Sequence, residues 1–165
     1  MSYQTFKAEV LAGLTKPHTD KMKPARILAT AYHNLILRHI ESLTGGGVFL
    51  LGTAKLPGLI AGFHAAFTQN LASANKRVNI FQQLAPYIYT YWAGNTALGA
   101  LGVAVVTGTG SFSGPIIPES NSPTLWLDVF IGVITVHLKT IMGTYTNYVS
   151  GATTPWSGVA LLTFP

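Results

Sequence analysis

Apolar residues recur every three or four positions through the first half of the chain, which is the spacing of amphipathic helices. The pattern predicts helices over residues 4–14, 21–43, 57–73 and 78–93. The second of these stretches has one apolar side, formed by Leu28, Tyr32, Leu35, Ile36, His39, Ile40 and Leu43. Its opposite side is polar, so this helix is predicted to bury one face against the rest of the protein.

Glycine and proline mark where these helices are expected to begin and end. Three consecutive glycines at residues 45–47 are predicted to end the second helix, since glycine resists helical ordering. Residues 48–52 form a short apolar run that suits a buried strand or a loop. Pro57 suits the first turn of the next helix, and Pro86 predicts a kink or a break. We expect the helix around Pro86 to extend no further than about Leu101.

The last third of the chain differs, because glycine, threonine, serine and valine replace the helical stripes. From residue 102 onwards the pattern predicts extended chain and turns, with a loop over residues 115–123. Residues 124–142 are rich in β-branched residues, yet an apolar stripe and a small, polar stripe both follow the helical period. We therefore predict a helix there, followed by extended or irregular chain over residues 143–165.

These elements predict one domain over residues 1–165, with a mainly α fold of three to five helices. Residues 1–101 form its helical part, and residues 102–165 form a partly extended part with one helix near 124–142. An α+β fold is the alternative. A chain of 165 residues is long enough for one domain with a real core and too short for two large ones.

Charged residues are scarce and unevenly placed. They make up 9% of the chain, against about 25% in a typical soluble domain. Residues 1–77 carry a net charge of +6 and residues 78–165 a net charge of −1. The scarcity of charge favours a surface that is buried against partners or lipid. The basic half indicates a solvated face rather than a nucleic-acid site, because no aromatic residues alternate with its cations.

The sequence contains little that predicts catalysis. It has no cysteine, which excludes disulfides, thiolate metal sites and cysteine nucleophiles. Its acidic residues are far apart in sequence, and its histidines form no HExxH motif. We therefore expect no enzyme activity, no cofactor and no metal. His39, His64 and His137 lie at or next to apolar stripes and are expected to bond to backbone carbonyls at the edge of the core.

The sequence thus favours a non-catalytic structural or assembly subunit of a large oligomeric complex. Its composition is typical of virion components, such as those of phage heads, necks, tails and baseplates, which are assembled in the host cytoplasm. The expected partners are copies of the chain and other structural proteins. Because aromatic residues dominate interface energetics, the candidate anchors are Tyr91, Trp92, Trp126 and Trp156.

Two alternatives stay open at this stage. One is a small integral membrane protein with a span near residues 84–106, because no charged residue occurs from residue 78 to residue 118. The other is an enzyme whose site forms only through tertiary contacts. It would bring His33, His39 or His137 close to Asp128 or Glu119. The N-terminal residues lack the basic start and apolar run of a signal peptide, so export by the standard route is not expected.

Overall fold

A computed structural model describes residues 3–17, 19–44, 48–72, 80–116 and 123–158 of the chain. Its helices are α1 (Tyr3–Leu14), α2 (Lys23–Thr44), α3 (Leu50–Ala72), α4 (Ile80–Trp92) and α5 (Pro123–Thr140). Its strands are β1 (Val48–Phe49), β2 (Thr96–Leu98), β3 (Gly102–Gly108), β4 (Met142–Asn147) and β5 (Thr153–Ser157). The fold is mixed α+β, so the α+β alternative describes it better than the mainly α prediction.

Helix α2 confirms the helix predicted over residues 21–43. The side chains of Leu28, Tyr32, Leu35 and Ile36 are buried, as the apolar stripe predicted. At the N-terminal end, the Asp20 carboxylate accepts the backbone N–H of Met22 at 2.9 Å, which satisfies a donor that the helix leaves unpaired. The His39 side chain and the glycines at residues 45–47 lie outside the part of the chain that is described.

Both prolines lie inside helices rather than at their ends. Helix α3 begins at Leu50, so the prediction that it starts at Pro57 is wrong. The apolar run at residues 48–52 is divided between β1 and the first turn of α3. Helix α4 continues through Pro86 without a break. A proline removes one intrahelical hydrogen bond, and the remaining bonds and buried contacts of these helices sustain them across it.

Helix α4 confirms the helix predicted over residues 78–93 and ends at Trp92. Gly94 adopts a left-handed conformation with φ of 65°, the geometry that terminates many helices. The backbone N–H of Asn95 donates to the carbonyl of Trp92 at 3.1 Å, and the Asn95 carbonyl accepts the N–H of Val106 at 2.8 Å. The chain therefore turns back after Trp92 and enters β2 and β3, within the limit of about Leu101 that the sequence pattern set for this helix.

The same turn overturns the predicted membrane span. Residues 84–106 pass from α4 through β2 and into β3, so they form no continuous helix. Within the described ranges, no helix combines the length and the apolarity that crossing a bilayer requires.

The strands form one antiparallel sheet in the order β1-β2-β3-β4-β5. Side chains alternate between the two faces of a strand. Ala97, Ala104 and Val106 lie on the inner face and are buried. Helix α2 packs against β1, β2 and β3, and α3 packs against β2. These helices therefore cover the inner face of β1, β2 and β3.

Helix α5 confirms the helix predicted over residues 124–142, and β4 and β5 confirm the extended chain predicted after it. The buried side of α5 comprises Leu127, Phe130, Val133, Ile134, His137 and Leu138. Phe130 stacks on Phe6, Phe81 and Trp126, which joins α5 to α1 and α4. Burial of the apolar stripe thus outweighs the β-branched composition of this segment.

Candidate functional site

Two of the four aromatic residues predicted as interface anchors belong to the interior. The side chains of Tyr91 and Trp92 are 1% and 0% exposed. The indole N–H of Trp92 donates to the Tyr32 hydroxyl at 2.7 Å, and the Tyr91 hydroxyl lies 2.6 Å from Nδ1 of His33. Each buried polar group therefore has a partner inside the chain, and a neighbouring subunit would not reach either ring in this conformation.

The other two anchors lie closer to the surface. Trp126 is half-buried and stacks on Phe130 with ring centroids 5.0 Å apart. Trp156 on β5 lies across Gly143 on β4, where a Cβ atom would approach the indole ring to 2.2 Å. The Trp156 indole N–H is buried and has no hydrogen-bond partner among the described atoms. Because both rings are partly accessible, their role as anchors stays a prediction.

Among the described residues, the acidic and histidine side chains named for an enzyme site have other partners. Asp128 forms an ion pair with Lys7 at 2.6 Å, which joins α5 to α1. His33 contacts an aromatic hydroxyl group, as described above. Glu119 and the side chain of His39 lie outside the described residues. Within those residues, no three histidine or acidic side chains are grouped so as to hold a metal ion.

His137 is a fully buried structural histidine. Its Nε2 lies 2.8 Å from the carbonyl of Thr109, so Nε2 carries the hydrogen and donates. This confirms the prediction that His137 bonds to a backbone carbonyl. The rings of Tyr89, Trp92 and Phe112 surround the imidazole, and its Nδ1 is buried with no hydrogen-bond partner among the described atoms. Burial lowers the pKa of His137 to about 4, although the bond to Thr109 acts in the opposite direction.

An open groove of about 300 Å³ lies between α1 and α2. Glu9, Arg26, Thr30 and Asn34 contribute its polar lining. Arg26 also pairs with Asp20 at 3.1 Å, and both side chains are about half exposed. Such an exposed pair contributes little to stability, about 0–1 kcal/mol, and the groove presents no converging set of groups for one class of ligand.

The face of the sheet that points away from the helices carries no charged residue. This outward sheet face consists of Thr96, Leu98, Val103, Val105, Thr107, Met142, Thr144, Thr146, Thr153, Pro155 and Ser157. Leu98 is 42% exposed and Met142 is 53% exposed, while Val103 and Val105 are half-buried. The hydroxyl groups of Thr146 and Thr153 lie 2.9 Å apart and bond across β4 and β5. The surface is therefore uncharged and partly apolar.

Two turns extend this face at one end of the sheet. The β2–β3 turn exposes Leu101, and the β4–β5 turn exposes Tyr148 and Val149, with exposed fractions of 61%, 54% and 89%. The N–H of Tyr148 donates to the carbonyl of Leu101 at 3.0 Å, which holds the two turns side by side. We refer to Leu101, Tyr148 and Val149 as the sheet tip. Exposed apolar side chains are thus concentrated where polar turn residues are usual.

The outward sheet face was not predicted, because it depends on strand register. Val103 and Val105 alternate with buried residues along β3, and the register places Thr146 and Thr144 of β4 beside them. That alternation is visible in the sequence. The pairing of the two strands is not, because α5 separates them along the chain.

No protein family, curated protein or solved structure matches the chain. The outward sheet face and the sheet tip together form the candidate functional surface.

Proposed function

We propose that the protein is a non-catalytic structural subunit of a larger assembly and that it buries the outward sheet face against neighbouring subunits. The observation that supports this proposal is the complete lack of charge on that face, in a chain whose net charge is +5. A sheet face that meets water ordinarily carries polar and charged side chains, which keep the protein soluble. Burying apolar atoms of this face would contribute about 25 cal/mol per Å².

A viral particle is the assembly that we propose, with subunits of phage heads, necks, tails or baseplates as the analogy in composition. Such subunits are held by repeated, closely packed contacts between copies. The charged fraction of 9% and the threonine-rich sheet face are compatible with that kind of contact. The partners would be further copies of this chain and other structural proteins of the particle.

The native mass of the purified protein in detergent-free buffer tests this proposal. Light scattering after size exclusion is expected to show a discrete oligomer well above the 17.6 kDa of one chain. A monomer at all accessible concentrations would overturn the proposal. Recovery only in detergent or lipid would also overturn it and would indicate a membrane-associated protein instead.

A charged substitution on the candidate surface gives the matched comparison. Thr144 lies on the outward sheet face, and Gln82 is an exposed residue of α4. Thr144→Lys is expected to lower the native mass, because burying an unpaired ammonium group in a contact is costly. Gln82→Lys adds the same charge on a helix and is expected to leave the mass unchanged. Equal masses for the two variants would remove the support that the sheet face gives to the proposal.

A further inference from the structure

The chemistry of the outward sheet face points to one kind of partner. We propose that this face packs against the same face of a second copy of the chain, across a two-fold axis. The inference rests on the proposed assembly function, and it adds the partner and the surface through which the partner binds.

The distribution of charge favours a second copy over other partners. The net positive charge of each chain resides in residues 1–77, which include α1, α2 and α3, whereas the outward sheet face carries no charged residue. Two chains of net charge +5 repel each other least when they meet through their uncharged sides. An anionic membrane would instead require cations around the apolar residues, and a charged protein would require complementary charges.

The shape of the face also suits packing against itself. Strands β2 to β5 lie about 4.8 Å apart and rise about 3.3 Å per residue, which gives a patch of roughly 15–20 Å in each direction. Val103, Val105 and Thr144 present short, β-branched side chains in neighbouring rows. Such rows interdigitate when two sheets pack about 10 Å apart in a sandwich. An isologous contact requires one self-complementary surface and no second site.

The size of the patch sets a further condition on the contact. Its projected area is roughly 300 Å², whereas a stable interface buries about 800 Å² on each partner. The contact must therefore extend beyond the sheet face. The adjoining sheet tip supplies exposed apolar area in Leu101, Tyr148 and Val149. The inference thus predicts that the sheet face and the sheet tip are buried together.

Charge complementation at Val105 tests this inference. Val105 lies near the centre of the outward face and pairs in register with Thr144. The variants Val105→Lys and Val105→Glu, each alone, bring like charges together in the contact, so dimer dissociation constants at least tenfold above that of the wild type are expected. Mixing the two variants is expected to restore a complex that contains one chain of each. Sedimentation velocity measures the mass of the separate and mixed samples.

If mixing the two variants restores the complex, the contact joins the outward sheet faces of two copies. Opposite charges at residue 105 meet only when the face of one copy packs on the same face of another. Gln82→Lys and Gln82→Glu, on the exposed side of α4, are expected to change no mass alone or mixed. Val149→Lys and Val149→Asp repeat the mixing test at a position that is 89% exposed, where a charge does not disturb folding.

The possible results separate this inference from the assembly proposal. If the wild type is oligomeric but mixing the Val105 variants and mixing the Val149 variants both fail to restore the complex, the face-to-face contact is refuted. The assembly function then survives through another surface. If the wild type is monomeric in detergent-free buffer, both proposals are overturned. Restoration in either mixture, with unchanged Gln82 controls, supports the contact.

Discussion

At the scale of single residues, His137 is the group on which the packing of the segment after β3 depends. Its Nε2–H donates to the carbonyl of Thr109 at 2.8 Å. Two further bonds hold the same segment: the N–H of Ser111 donates to Thr140, and the N–H of Phe112 donates to the hydroxyl of Tyr89. His137 therefore helps to fasten residues 109–112 onto α4 and α5.

The burial of His137 predicts a loss of stability in acid. The pKa of His137 falls from an ordinary 6.5 to about 4 in the folded state, so the unfolded chain binds the proton first as the pH decreases. The free energy of unfolding is therefore expected to fall by about 3 kcal/mol between pH 6.5 and pH 4 on account of this group. Above about pH 7.5 the imidazole is neutral in both states and contributes no slope. Urea denaturation at a series of pH values measures the effect.

The variant His137→Gln isolates this contribution from other titrating groups. Glutamine retains an N–H for the Thr109 carbonyl but does not titrate, so the slope between pH 6.5 and pH 4 is expected to decrease. His64→Gln on α3 controls for the loss of a histidine other than the one that Tyr89, Trp92 and Phe112 surround. A slope that is identical in the wild type and His137→Gln would show that His137 does not drive the acid sensitivity.

At the scale of elements, the sequence predicted the helices whose pattern of apolar residues lies within one continuous segment. The stripes of α2 and α5 follow the helical period over several turns, and both helices form close to the predicted positions. The end of α4 at Trp92 lies one residue from the predicted end, and Gly94 is a local signal of the kind that terminates helices. The apolar run at residues 48–52 left strand and loop open as alternatives, and β1 occupies only two residues of it. Strand β1 forms because β2 pairs with it, a contact between distant parts of the chain.

The candidate site was less predictable than the fold, for a related reason. Tyr91 and Trp92 were predicted as interface anchors because they lie in a segment rich in aromatic residues. Aromatic residues are also common in protein cores, and both of these rings are buried. The outward sheet face is defined by which residues of β3 and β4 share a side. That arrangement follows from strand pairing. The sequence shows how side chains alternate within each strand, but it does not show which residues of two strands lie side by side.

Strand β5 is an edge strand among the described residues, and Pro155 blocks its free edge. The N–H of Gly158 and the carbonyl of Ala152 both bond toward β4, so the even-numbered residues of β5 pair inward. Pro155 therefore directs its backbone away from β4, where it offers no N–H donor. Proline at such a position discourages the addition of a strand from another chain. This favours association through the face of the sheet rather than through its edge.

Replacing Pro155 is expected to allow strands of other chains to pair with the free edge of β5. The variant Pro155→Thr restores a backbone N–H on the free edge, so faster growth of large aggregates is predicted during incubation near the thermal midpoint. Thr154→Ser alters a neighbouring residue whose N–H already points toward β4 and is expected to behave like the wild type. Light scattering over time measures the growth. Equal rates for Pro155→Thr and the wild type, at equal thermal stability, would contradict a protective role for Pro155.

At the scale of the whole molecule, α1 joins residues that lie more than a hundred positions apart in the chain. The Tyr3 hydroxyl lies 2.9 Å from Oγ1 of Thr135, and Lys7 pairs with Asp128 on the same helix, α5. Phe6 is fully buried and stacks on Phe130 with ring centroids 6.4 Å apart. The first and last helices therefore close one core, and the stability of the domain depends on this contact.

The apolar part of that contact is expected to contribute more than its ion pair. Phe6→Ala removes a fully buried ring and is predicted to lower the free energy of unfolding by about 3–5 kcal/mol. Lys7→Ala removes an ion pair whose side chains are 30% and 52% exposed, so a loss of about 1 kcal/mol or less is expected. Urea denaturation of both variants in the same buffer measures the two losses. If Lys7→Ala cost as much as Phe6→Ala, the closure of the domain would depend on charge, and its stability would then fall with added salt. A stability that is insensitive to salt, together with the larger loss in Phe6→Ala, identifies burial of the aromatic ring as the force that joins α1 to α5.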